Sequence, residues 1–115
     1  MTPQAIMDGL QKKNQLLTQK NDEYKDLTEK YANAKREYAV ALAKELFRLK
    51  IDGQSVTLIT ELARGDKTVA DLRYKKDVAE GVMKACMESI KDIREAIGTY
   101  RSLLVWLRVE LNEGQ

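Results

Sequence analysis

The sequence predicts an all-α protein, coiled-coil-like, built as an antiparallel hairpin of two long helices with a short helical connector. Three observations carry this. Read in sevens, the stretch from Val69 to Leu111 places Val69, Lys76, Met83, Ile90, Ile97, Leu104 and Leu111 at one repeating position. Leu72, Ala79, Cys86, Ile93, Tyr100 and Leu107 stand at another, so apolar steps of three and four alternate along a single seam. A comparable stretch opens the chain, and with Pro3 as the one proline nothing breaks it up to about Lys50 except an early Gly9. The two stretches are each about 45 residues, or roughly 70 Å as helix, and a compact connector between them predicts a single domain over residues 1–115.

Thr2 is suited to cap the first helix and Pro3 to occupy its first position, so that helix is expected over about 3–50. Its apolar positions are Ile6, Leu10, Leu17, Tyr24, Leu27, Tyr31, Ala34, Tyr38, Ala41, Leu42, Leu46 and Leu49, with Lys13 and Lys20 interrupting the seam early. Tyr24, Tyr31 and Tyr38 recur every seven residues and are expected to fill the seam with hydroxyls at its edge. Ala32, Ala34, Ala39, Ala41 and Ala43 suggest close helix approach.

Gly53 is a turn or helix-ending residue, and Ser55 is placed to cap a short helix over 55–63. Val56 to Thr60 would also suit a strand, but no second strand exists to pair with it. Arg64, Gly65 and Asp66 read as a second turn, with Asp66 capping the last helix over 67–112. If the long helices end level, residues whose numbers add to about 118 face each other. Leu49 then lies near Val69, Tyr38 near Ala79, Tyr31 near Cys86 or Met87, and Tyr24 near Ile93.

The last helix has more apolar surface than one partner can cover. A second line runs through Val78, Val82, Ala85, Ser89, Ala96, Thr99, Leu103 and Trp106. Near the end, Leu103, Leu104, Val105, Trp106, Leu107 and Val109 point in nearly every direction. A face this wide touches two neighbours. A homodimer forming a four-helix bundle is therefore expected, with Val82, Leu103, Leu104, Val105, Trp106, Leu107 and Val109 at an oligomer or partner interface.

Catalytic chemistry finds no foothold. The chain has no histidine and a single cysteine, which removes histidine-dependent triads and thiolate clusters. Cys86 on the seam reads as a small buried hydrophobe in a reducing compartment. Carboxylates such as Glu23, Asp26, Glu88, Asp92 and Glu95 interleave with lysine and arginine, as on solvated faces. Arg64-Gly65-Asp66 imitates an integrin ligand but reads as a turn followed by a cap. A helix-turn-helix over Val56–Lys67 fails because Glu61 stands where a small residue is needed. No enzyme, cofactor or metal site is expected. Neither a secretory leader nor a membrane span is visible, so a cytoplasmic protein without a membrane partner is expected.

Net charge is only +2, but it is uneven. From Lys44 to Lys76 eight bases face five acids, leaving +3 there and −1 elsewhere. Arg48, Lys50, Arg64, Lys67, Arg73, Lys75 and Lys76 form a candidate basic tip for an acidic partner or a nucleic-acid backbone. Arg73, Arg94, Arg101 and Arg108 line one seam edge, where ion pairs to the first helix or to a second subunit are expected.

Two stretches carry a family resemblance. One runs from Ala43-Lys44-Glu45-Leu46 through Val56-Thr57-Leu58-Ile59 and Leu62-Ala63-Arg64-Gly65-Asp66-Lys67 to Val69-Ala70-Asp71-Leu72. The other is Lys84-Ala85-Cys86-Met87-Glu88-Ser89-Ile90 with Tyr100-Arg101-Ser102-Leu103-Leu104. In these the chain resembles small helical proteins of unknown function from temperate phages and prophages of Gram-positive bacteria. The resemblance implies an early-region accessory protein in host cytoplasm and carries over no catalytic residue. The expected function is thus non-enzymatic binding of a host or phage protein, possible defence components included. The alternative is a nucleic-acid-binding accessory factor for recombination or replication, working through the basic tip.

Overall fold

The computed structural model describes residues 2–114. Helix α1 spans Pro3–Ile51, α2 spans Val56–Gly65 and α3 spans Lys67–Glu113. Helix accounts for 94% and strand for none of the described residues, which decides between the helical and strand readings of Val56–Thr60. The fold is the all-α hairpin.

Each boundary has a local cause. The Thr2 hydroxyl accepts from the Ala5 amide at 3.1 Å, capping α1. At the other end Gly53 takes a left-handed φ of 79°. The Gly53 amide bonds the Lys50 carbonyl and the Gln54 amide bonds the Leu49 carbonyl, each at 3.2 Å. That pair of bonds is a Schellman closure, which needs a residue without a Cβ penalty. Ser55 holds the N-cap of α2, yet its hydroxyl turns to the Thr57 hydroxyl at 2.9 Å and makes no cap bond. The expected second turn shrinks to one residue. Helix α2 continues through Gly65, and Asp66 closes α2 while its carboxylate accepts the Val69 amide at 3.1 Å to start α3.

The chain forms two compact units, one combining residues up to Lys25 with those from Ala85 onward, the other comprising Asp26–Lys84. In the first, the terminal unit, the core is Ile6 with Cys86, Ile90, Ile93 and Ile97. Cys86 is buried and free, its thiol 3.6 Å from the Lys20 carbonyl. Lys13 and Lys20 keep their seam positions half-buried, and the Lys20 ammonium reaches Glu23 at 3.0 Å. Their alkyl stems cover the seam while their heads reach its edge. Tyr100 lies so close to α1 that a Cβ on Gly9 would meet its ring at 2.7 Å, so the absent side chain makes room for the ring.

The second, the connector unit, has a thin core: Ala34, Leu49, Ala63 and Val69 are its buried apolar residues. Its helices pair antiparallel, but the register differs from the expected one. Tyr31 meets Glu80, Glu37 meets Lys75 and Tyr38 meets Lys76, pairs whose numbers add to 111, 112 and 114. In the terminal unit Tyr24 meets Met87, again 111. The offset from 118 is four to seven residues in these pairs and larger where Lys20 meets Cys86 and Gly9 meets Tyr100, whose numbers add to 106 and 109. Leu49 near the end of α1, Ala63 on α2 and Val69 on α3 are all buried. The start of α3 reaches the last turns of α1, where Thr68 and Val69 line a hollow with Lys44, Glu45 and Arg48. Of the five alanines, Ala34 and Ala41 face inward, whereas Ala32, Ala39 and Ala43 are exposed.

Gly53→Ala forces a side chain into the left-handed region and should destabilise the protein by about 1–2 kcal/mol. Equilibrium urea unfolding measures this, and an unchanged midpoint would refute the closure as a determinant.

Candidate interaction surface

The candidate interface residues divide between the units. In the terminal unit Leu103, Val105, Trp106 and Val109 are exposed, Trp106 to 67%, while Leu104 and Leu107 lie half-buried on the seam. Ile6, Leu103, Trp106, Leu107 and Glu110 line a shallow hollow. Val82 belongs to the connector unit, where it is exposed along with Val78 and Tyr74. All these exposed residues lie off the seam, so no turn of the hairpin's own pairing can cover them.

The connector unit also exposes apolar residues that periodicity along the seam did not single out: Val40, Phe47 and Ile51 on α1, with Val56, Leu58 and Leu62 on α2. Val40, Phe47 and Ile51 were legible in principle, because steps of seven and four put them on one helix face.

The candidate basic tip is partly neutralised. Arg48 sits between Glu45 and Asp52, reaching the latter at 3.0 Å, and hydrogen bonding to Glu45 raises its pKa. Lys75 pairs with Glu37 at 3.6 Å. Lys76 meets Asp77 at 3.4 Å and lies 5.0 Å from the centre of the Tyr38 ring. The seam does not open to water there: the ammonium covers an aromatic face. Lys50, Arg64, Lys67 and Arg73 are exposed. Among the described residues Arg73, Arg94, Arg101 and Arg108 form no ion pair to α1, and the cross-helix ion pair is Lys75–Glu37.

One side of the connector unit forms a continuous groove between α1 and α3. Three adjoining hollows share Ala41, Lys44 and Thr68 at one junction and Glu37 at the next. The floor is small and apolar, made by Ala34, Ala41, Leu72 and Ala79, with Val40 and Val78 on the walls. Lys30, Arg36 and Lys44 stand along its α1 side. On this side Glu37 is held by Lys75 and Glu45 by Arg48. Among the described residues Lys30 and Lys44 have no ion pair, and Arg36 makes only a 3.4 Å bond to Asn33. The result is a row of positive charge over an apolar trough.

A second polar feature ties the helices together. Glu80 bonds Lys84 at 2.7 Å and lies against the Tyr31 hydroxyl. Hydrogen bonding from Lys84, then from Tyr31, lowers the Glu80 pKa, while hydrogen bonding to Glu80 raises that of Tyr31. Among the described residues no three His, Cys, Asp or Glu side chains are grouped to hold a metal, and no helix is long and apolar enough to cross a membrane.

A depressed carboxylate pKa adds stability above its unfolded value that disappears as pH falls through the folded one. The melting temperature should therefore drop on acidification through that range, and Glu80→Gln should lower it near neutrality and flatten this dependence. Thermal unfolding followed by circular dichroism across acidic pH checks both; an unchanged slope in the variant would discount the Tyr31–Glu80–Lys84 group. Comparison with protein-family models, with curated proteins and with solved structures finds no match for the chain.

Proposed function

We propose that the protein is a non-enzymatic interaction protein that works as a self-associated helical bundle. The observation that supports this is unused apolar surface. The 13.1 kDa chain exposes 8584 Å², where a compact monomer of that mass exposes about 6,400 Å². That surplus exceeds the roughly 800 Å² per partner that a standard interface removes. Much of it is large and apolar: Trp106, Leu103 and Val109 in the terminal unit, Val78 and Val82 in the connector unit. The resemblance to prophage accessory proteins adds an outside partner to the proposal, a host or phage protein, with host defence components among the candidates. Nucleic-acid contact through the connector end is the weaker reading, because carboxylates engage Arg48, Lys75 and Lys76.

Sedimentation equilibrium at micromolar concentration should give twice the 13.1 kDa chain mass. Trp106→Ala should weaken association by about 2 kcal/mol. A monomeric wild type would overturn self-association and leave the exposed apolar residues to a different protein partner.

A further inference from the structure

The groove of the connector unit and the outer line of α3 in the terminal unit carry opposite charge. On α3 from residue 85 onward, the second apolar line is Ala85, Ser89, Ala96, Leu103 and Trp106. On its two register positions every ionisable side chain is acidic, namely Asp92, Glu110 and Glu113, and the adjoining outer position adds Glu88 and Glu95. The bases of the same stretch, Lys91, Arg94, Arg101 and Arg108, fall on other positions. Glu88 is held by Lys91 at 3.3 Å, whereas Asp92, Glu95 and Glu110 make no ion pair among the described residues.

We propose that the groove of one copy receives the outer face of α3, residues 85–110, of a second copy. The assignment rests on the self-association proposed above and adds which surface meets which. The groove presents Lys30, Arg36 and Lys44 beside Ala34, Ala41 and Ala79. The α3 face presents Asp92, Glu95 and Glu110 beside Ala85, Ala96 and Leu103. Alanines on both sides, Ala34, Ala41 and Ala79 facing Ala85 and Ala96, admit close helix approach over that part of the face, and each unpaired charge row finds its complement. Lengths agree as well. Lys30 to Lys44 spans roughly 21 Å of helix and Asp92 to Glu110 roughly 27 Å. Two-fold symmetry makes the exchange reciprocal, each copy giving one helix face and receiving one. Groove against groove would instead oppose the same lysine rows. A phosphate backbone would match the lysines and leave the apolar floor empty.

The test uses charge exchange in the full-length chain at low salt, read by sedimentation equilibrium. Lys30→Glu with Lys44→Glu should raise the dimer Kd about tenfold, and Asp92→Lys with Glu95→Lys should do the same. Mixed one to one, the two variants should recover wild-type affinity, because each groove then meets an oppositely charged face. All four changes in one chain should recover it too. Circular dichroism establishes that each variant keeps its helix content, and recovery in the mixture excludes misfolding as the cause. A dimer that ignores both pairs of changes, or a mixture that stays weak, overturns this assignment while leaving self-association standing. Weakening by the groove variant alone puts another segment in the groove and overturns it likewise. Salt-sensitive binding of a duplex oligonucleotide that Lys30→Glu with Lys44→Glu abolishes, beside an unaffected dimer, gives the row to phosphate. A monomeric wild type removes both proposals.

Discussion

Two helices packed together can each bury one stripe, and that limit governs this protein. A seam of steps three and four turns about a third of each helix inward and leaves the rest to solvent. The buried set shows how little this yields. In the connector unit two of the four buried apolar residues are alanines, and each buries only a fraction of the area of a leucine. Apolar residues beyond the seam, such as Val78, Val82, Leu103 and Trp106, therefore lie exposed. They are what a third or fourth helix would cover.

The connector sets the register within that limit. Gly53 stops α1 sharply, α2 follows after a short turn, and Asp66 starts α3 without an intervening loop. In the pairs beyond that connector α3 sits four to seven residues lower than a level hairpin would require. The shift changes every cross-helix partner. Tyr31 meets a carboxylate instead of a thiol or thioether, and Tyr38 meets an ammonium. The tyrosine hydroxyls and rings thus join the polar edge of the seam.

Much of the fold was legible because its signals are local. Helix type follows from periodicity, and the ends follow from Thr2, Gly53 and Asp66, whose cap bonds involve near neighbours. The register was not legible, since it depends on where a ten-residue helix comes to rest, and no seam pattern encodes that. Ser55 shows the same limit on a smaller scale: the residue type suits a cap, but Thr57 offers its hydroxyl a competing partner. On the surface, the outer line of α3 was readable from spacing alone. The groove was not, because its walls come from Lys30 to Lys44 on one helix and Thr68 to Ala79 on the other. Pairing those walls requires the register. The pairing within the basic tip was hidden for a related reason, as Glu37 meets Lys75 only once the helices are aligned.

Asp66 has a mechanical consequence. One residue both terminates α2 and caps α3, with no slack between the helices. Helix α2 cannot swing away as a free flap, because reorienting Asp66 would strip the Val69 amide of its acceptor. Opening α2 would uncover Ala63 and remove the cap from the first turn of α3 in the same event. The connector behaves as a latch rather than a tether, and the hairpin resists splaying at the end where its core is thinnest.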